Sequence, residues 1–273
     1  FFVGRAIRKT SKKGLESFIT GAWPFKDSVV SNAAARVMEK YLDLTRFSLT
    51  AKPVVMIAPL PVQTGSTKWR AQARGSTVLL LMDPQAQIAN WKGQLEIIFA
   101  HEVLHLWVPN SLALQGAYDW FFEGFTLYTA LLMALELKAI DIGEYFDTLG
   151  RVYDSYLSYE DAGSLIDASE KRWTSNTPIV YDKGMLVAFL YDLSIREESR
   201  GKSTLLDSYR ELFERPVAER ANGNDVIIRL LSSTPAAADL IRKYIEGSAP
   251  LALETVLKNL RTDKKRLKSL GYR

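Results

Sequence analysis

The sequence predicts an α+β chain, a small mixed-sheet lobe followed by a mainly α-helical lobe. Three observations carry this. Both apolar β-type runs, residues 53–60 (PVVMIAPL) and 77–82 (TVLLLM), fall early in the chain. From Asp141 onward the apolar residues recur almost everywhere at helical spacing. With 47% hydrophobic content over 273 residues, the chain can bury the core of one large or two small domains.

Taken in order, residues 1–8 read as a strand end and 9–21 as a polar connection. Over 28–44, Val29, Val30, Ala33, Val37, Met38, Tyr41 and Leu42 mark one face of a helix, with Ser28 as its candidate N-cap. Pro59, Pro61 and Gly65 close the first β run and mark a loop. A helix is expected over 92–108, stopped by Pro109-Asn110, and a second from Tyr118-Asp119-Trp120 to about Lys138. Further helices follow at 142–156, 178–198, 204–214, 225–231, 235–245 and 251–260, punctuated by Gly163, Asn222-Gly223 and Gly247. No repeat of fixed period occurs. The expected division is an α+β lobe over 1–115, a helical lobe over 116–260 and a basic tail or linker start over 261–273.

The chemistry concentrates in residues 97–108, IIFAHEVLHLWV. The chain's two histidines are His101 and His105, and Glu102 follows the first, giving H-E-x-x-H. Four residues make one helical turn plus a little, so both imidazoles project from one face and can share one ion. Zinc is the metal such a pair most often serves, with the intervening glutamate acting as general base rather than ligand. Histidines on an apolar helix also occur as packed core residues. Two random histidines spaced this way around a glutamate are, however, roughly a one-in-a-few-thousand coincidence. With no cysteine and no third histidine, the remaining ligand must be a carboxylate. Glu123, inside Trp120-Phe121-Phe122-Glu123-Gly124-Phe125, sits in apolar company that demands a partner, and zinc would supply one. A glutamate favoured by the helix macrodipole accounts for its presence equally. Ligand clefts usually lie where two lobes meet, so the zinc site is expected between them.

Composition narrows the classes. No run of 18 apolar residues occurs, and the most apolar stretch, 121–137, is broken by Glu123 and Glu136, so no membrane span is expected. Residues 1–14 carry +5 and 261–273 another +5, which leaves −6 on the body. Basic ends on an acidic body, without interleaved aromatics, do not make a nucleic-acid groove, and solvated termini are the expectation. Zero cysteines is compatible with a bacterial periplasmic or secreted location. The opening Phe1-Phe2-Val3, without Met, reads as a fragment or processed chain.

On HEVLHLW (101–107), WFFEGFTLY (120–128) and YDKGMLVAFLYDLSIREESRGKSTL (181–205), the chain resembles the gluzincin zinc metallopeptidases, and within them the glycyl-aminopeptidase family. Weaker similarity reaches YIEGSAPL (244–251). The resemblance implies a thermolysin-like catalytic domain binding one zinc ion through His101, His105 and Glu123. It implies Glu102 as the base that deprotonates water, and Tyr181 as the phenol that stabilises the oxyanion in hydrolysis of a peptide or protein substrate. Relatives usually carry an N-terminal β-domain and a PDZ domain, neither of which is expected in this chain.

Three departures stand beside the resemblance. Glu123 follows His105 by 18 positions, closer than in typical glycyl-aminopeptidase relatives, which implies a shortened loop and a reshaped cleft. The substrate-binding stretch corresponds to Arg70–Thr77, with Gln72, Gly75, Ser76 and Thr77 as candidate contacts. Gln72 stands where relatives carry the glutamate that grips a free amine, and an amide cannot pair with an ammonium as a carboxylate does. No Asp stands four residues after Glu123 to orient a histidine, a task left to Thr126 or a backbone carbonyl. Residues 77–82 are expected to offer an edge strand to an extended substrate. A zinc peptidase, exo- or endo-acting, is the first reading. A catalytically impaired zinc-binding peptide-interaction module and a zinc hydrolase of non-peptide amides remain alternatives.

Overall fold

The computed structural model describes residues 5–60, 69–85, 92–159, 163–173, 177–215 and 220–272. The expectations for residues 1–4 and for the loop at Pro61 and Gly65 lie outside them. The chain divides into two compact units, residues 1–112 and 113–273.

The first unit is built on a mixed five-stranded sheet of order β1-β2-β3-β5-β4. Its strands are β1 (Ile7–Thr10), β2 (Glu16–Ile19), β3 (Val54–Pro59), β4 (Trp69–Arg74) and β5 (Thr77–Met82). The β2-β3-β5 core is parallel, with Val54 opposite Thr77 and Pro59 opposite Met82, while β1 and β4 flank it antiparallel. β3 and β5 are the two runs legible as strands. β1 overlaps the expected strand end at Ile7 and Arg8, whereas β2 and β4 are not legible, because their sequences ESFI and WRAQAR carry too few apolar residues to mark a buried strand. Alternation decides which face is covered: Val55, Ile57, Val78 and Leu80 are fully or almost fully buried, and their neighbours are not.

Helix α1 (Asp27–Thr45) buries Val30, Ala33, Ala34, Val37, Met38, Tyr41 and Leu44, the stripe that an amphipathic helix turns to a core. It begins one residue before Ser28, which lies inside the helix, and Lys26 occupies the N-cap position without a side-chain cap. Arg36 of α1 pairs with the buried Glu96 of α2 (Lys92–Leu104), and Trp107 Nε1 donates to the Phe47 carbonyl just past α1 at 3.0 Å. These contacts fix the motif helix against α1 at both ends.

In the second unit a π-helical turn, Trp120–Phe125, leads into α3 (Thr126–Glu136). It is followed by α4 (Ile142–Leu157), α5 (Leu165–Glu170), α6 (Thr177–Ser199), α7 (Leu205–Glu214), α8 (Gly223–Leu231) and α9 (Pro235–Ile241). A further π-helical turn, Arg242–Glu246, precedes α10 (Glu254–Thr262) and α11 (Lys264–Ser269). Reciprocal caps, Asp141 with Glu144 and Thr204 with Asp207, start α4 and α7. The 23-residue α6 is the axis of the unit, and Asp192 near its middle accepts hydrogen bonds from Tyr128 at 2.7 Å, Arg196 at 2.7 Å and the Leu205 amide at 2.7 Å.

That carboxylate also corrects the expectation for 261–273. Tyr272 donates to Asp192 at 3.3 Å, Arg196 donates to the Leu270 carbonyl at 2.9 Å, and Leu267, Leu270 and Tyr272 are buried. The stretch is packed, not a solvated tail, because Leu267 of α11 and Leu270 and Tyr272 just after it turn inward while its basic residues face water.

Candidate metal centre

The first unit supplies two imidazoles and a carboxylate. The α-helix ends at Leu104, sooner than the expected 108, and the chain tightens into turns: the Leu106 and Trp107 amides donate to the Val103 and Leu104 carbonyls at 3.1 and 2.9 Å. His101 therefore stands on the last helical turn and His105 just beyond it. Their Nε2 atoms are 3.1 Å apart and their rings meet edge to face, 4.6 Å between centroids. Two nitrogens bound to one zinc at about 2.0–2.1 Å and a tetrahedral angle stand about 3.4 Å apart, so the pair is spaced as ligands of a small cation would be.

His105 Nδ1 donates to the Val108 carbonyl at 2.9 Å. A carbonyl only accepts, so the proton sits on Nδ1, and Nε2, 3.1 Å from the His101 Nε2, carries the lone pair that a metal would take. This is the backbone carbonyl envisaged for a chain with no Asp four residues after Glu123. Glu102, on the helix between the two histidines, is 7% exposed and His105 8%.

The second unit supplies Glu123, in a π turn where a plain α-helix was expected. Single π turns recur at functional sites because they re-aim one side chain without ending the helix. Here the turn is held by tight surroundings. Trp120 donates its indole N–H to Asn224 at 2.7 Å and its backbone N–H to Ser169 at 2.9 Å, and Phe121 stacks on Tyr209 at 5.3 Å. Gly124 lies directly on Gly184 of α6, so close that a Cβ on Gly124 would stand 2.5 Å from the Gly184 Cα. Only glycine admits that approach.

Glu123, 7% exposed, accepts from Arg172 at 2.7 Å. The same guanidinium donates to Asp119 at 2.6 Å and to the Tyr181 hydroxyl at 2.8 Å. Burial and then the Glu123 charge hold the Tyr181 phenol well above its ordinary value, so it remains a donor at neutral pH. Burial alone would lower Arg172, but the Asp119 hydrogen bond and the Glu123 charge outweigh it, and the guanidinium stays charged. Burial raises Asp119 against the pull of Arg172, and lifts neighbouring Tyr118 to about 12.

Each of His101, His105 and Glu123 offers one ligand atom, two imidazole nitrogens and a carboxylate oxygen. That donor set is one that catalytic zinc sites use. Sequence reasoning missed Arg172 and Asp119; the only signal for them was that a buried Glu123 needs a cation.

The candidate substrate contacts lie on the β4–β5 hairpin. Gly75 and Ser76 form its two-residue loop, with Gly75 at φ 57°, the conformation such a first loop position demands. Their carbonyls accept from the Asn110 side chain at 3.0 Å and the Val54 amide at 2.9 Å. Gln72 is exposed and opposite Leu79, on the face away from Val78 and Leu80. The edge-strand expectation is corrected: β5, including Thr77, is paired on both sides by β3 and β4, so on this side of the sheet the outer strand is β4. The apolar content that made β5 legible is what places it inside the sheet.

No family model matches the chain, and no curated protein matches it by sequence. Solved structures do share its fold. An aminopeptidase N family protein from Idiomarina loihiensis superposes with a TM-score of 0.74 at 19% identity, covering 94% of this chain and 49% of that one. An M1 zinc metallopeptidase from Deinococcus radiodurans gives 0.62 at 19% identity, with 92% of this chain and 54% of that one covered. A variant of the Deinococcus enzyme bound to a Tyr-Ser-Ala substrate gives 0.61 at 18% identity. The chain spans about half the length of these proteins. The fold is therefore the mixed α+β fold that these M1-type zinc metallopeptidases share.

Proposed function

We propose that the chain is the catalytic portion of a zinc-dependent peptidase, with His101, His105 and Glu123 as ligands of one zinc ion. The observation that carries the reading is the His101–His105 pair, 3.1 Å between Nε2 atoms with the His105 tautomer fixed by the Val108 carbonyl. The shared fold with M1 zinc metallopeptidases supports it. Bound zinc would supply a Lewis acid that acidifies water and polarises a carbonyl.

The chain's own groups do the rest. Glu102, buried beside His101, takes a proton from the attacking water and returns it to the leaving amine. Tyr181, held protonated, donates to the carbonyl oxygen as negative charge develops there, an interaction stronger in the transition state than in the bound substrate. An extended peptide can lengthen the sheet along the outer β4, beside Gln72.

The finer reading is an aminopeptidase of glycyl-aminopeptidase type with a thermolysin-like catalytic domain. The neutral, exposed Gln72 favours internal cutting instead, because nothing on that strand pairs with a free ammonium. The test is turnover of a mixed peptide library by the zinc-loaded protein, read by mass spectrometry with Glu102→Gln as control. Single-residue losses from free N-termini identify an aminopeptidase and internal cuts an endopeptidase. No cuts in the zinc-bound protein would refute the peptidase reading and favour a peptide-binding module.

A further inference from the structure

We propose that Arg172 is a positioning residue that sets the Glu123 carboxylate and the Tyr181 phenol in one rigid frame; the proposal rests on the roles given to those two groups above. Glu123 comes from the π turn and Tyr181 from the first turns of α6, 58 positions later. Arg172 belongs to neither element, lying just past the end of α5. One of its terminal nitrogens donates to both, at 2.7 Å to Glu123 and 2.8 Å to the Tyr181 oxygen. The other donates to Asp119 at 2.6 Å, one residue before the π turn. The plane of the guanidinium is thereby fixed by three acceptors from two separate segments.

Aromatic rings add to that hold. The guanidinium carbon is 4.6 Å from the Trp173 ring centroid, 5.7 Å from that of Phe122 and 5.5 Å from that of Tyr181. Arg172 is 8% exposed, so its contacts are made out of bulk water, where charged hydrogen bonds are strong and directional. Two functions follow. An arginine hydrogen bond on one side of Glu123 limits its rotation, so that a ligand oxygen is presented in one direction. Donation into the Tyr181 oxygen occupies one lone pair and orients the phenol, whose own O–H is engaged with Glu123, so the guanidinium and the carboxylate together fix the direction of the hydroxyl. A lysine has the charge and three donors, but all on one nitrogen, so it cannot reach Asp119 from one nitrogen and Glu123 and Tyr181 from another as the planar fork does.

The deciding variant is therefore Arg172→Lys, which keeps the charge that two buried carboxylates need. Zinc affinity is measured by competition with a chelator, without any substrate, and kcat and KM are measured on a cleaved peptide at saturating zinc. The expected result is a near-native melting temperature, zinc binding weaker by roughly 10- to 100-fold, and kcat lower by on the order of 100-fold with KM unchanged. In a Tyr181→Phe background, Arg172→Lys should lower kcat by no more than about threefold further, since the group it orients is gone. Asp119→Asn is the second variant, because it loosens the far end of the guanidinium and touches neither Glu123 nor Tyr181. It should give the same pattern at about 5- to 10-fold in kcat.

Wild-type zinc affinity together with wild-type kcat in Arg172→Lys would overturn the proposal, as would losses in kcat that multiply with those of Tyr181→Phe. If the wild type binds zinc and turns over no peptide, the peptidase reading fails. The chelator titration still decides whether Arg172 holds Glu123, and unchanged affinity would count against it.

Discussion

Replacing Gly124 by alanine should drive the turn that carries Glu123 away from the helix that carries Tyr181. The added Cβ would stand 2.5 Å from the Gly184 Cα, 2.7 Å from the Gly184 carbonyl carbon and 2.7 Å from the Val180 carbonyl oxygen. All three are backbone atoms inside α6, so no flexible side chain can swing aside. Ordinary contact begins near 3.4 Å, so relief takes a separation of about 0.9 Å between two buried elements. Forcing a packed core apart costs about 1–3 kcal/mol, which for a chain of this size lowers the melting temperature by roughly 2–12 °C. The functional loss should be larger in proportion, because a displacement of about 1 Å between groups that act together costs on the order of 100-fold in rate. Gly184→Ala is the milder control: its Cβ would be 2.9 Å from the Gly124 Cα and 3.1 Å from the Trp120 carbonyl oxygen, needing only about 0.5 Å. Thermal unfolding and peptide turnover of both variants test the reasoning. It fails if Gly124→Ala melts within a degree of wild type and retains its kcat, or if Gly184→Ala proves the more damaging.

Glu102→Gln should keep zinc but lose about 100- to 10,000-fold in kcat, the usual contribution of a general base, whereas His105→Ala should lose both zinc and turnover; equal turnover in Glu102→Gln would refute the assigned base. Zinc at a thousand times its dissociation constant should stabilise the fold by about 4 kcal/mol, so stripping it with a chelator should lower the melting temperature, and an unchanged midpoint would mean the folded state binds no metal. Asp192→Ala should destabilise by about 3–5 kcal/mol, since it leaves the buried Arg196 without its carboxylate and frees Tyr272; denaturant unfolding checks this, and a loss below 1 kcal/mol would show that the hub is redundant. Hydrogen bonds from Lys52 and Arg8 hold the Glu16 carboxyl below its ordinary 4.5. The unfolded chain therefore takes up the proton first, and stability present in full above about pH 4.5 is lost as pH falls through the folded value. Glu16→Gln should flatten that part of the acid limb, and an unaltered limb in unfolding measured from pH 6 to pH 3 would refute the assignment.

The fold was legible where apolar pattern alone decides structure. α1, α4, α6, α7 and α8 lie within a few residues of their expected spans; α1, α4, α7 and α8 each turn an apolar stripe inward, and α6 is long and buried on every side, with Met185 to Phe189 all in the core. Expectation failed where a segment is held by its neighbours. β2 (ESFI) is a strand because β1 and β3 pair with it on either side, and its buried Glu16 is satisfied by Arg8 and Lys52, which are distant in sequence or on another strand. α5, six residues long, starts on a Ser164 cap that donates no periodic signal of its own. The C-terminal stretch looked like solvated charge because Leu267, Leu270 and Tyr272 are few, yet their burial is decided by one buried carboxylate on α6.

The same division runs through the site. His101, Glu102 and His105 announced themselves because one helical turn suffices to bring them together, so the geometry is contained in a pattern of five residues. The setting of Glu123 could not be read that way. A π turn leaves no mark in a periodicity, and what stabilises this one is a pair of glycines 60 positions apart, each of which by itself reads as a mere weakness in a helix. Together they let the π turn lie directly on α6, close enough for one guanidinium to reach both Glu123 and Tyr181. Local pattern thus supplies the two imidazoles and Glu102 between them. Long-range close packing within the second unit, through Gly124, Gly184 and Arg172, sets the direction of Glu123 and Tyr181, and the Gly124 and Arg172 variants probe that contribution separately from the local one.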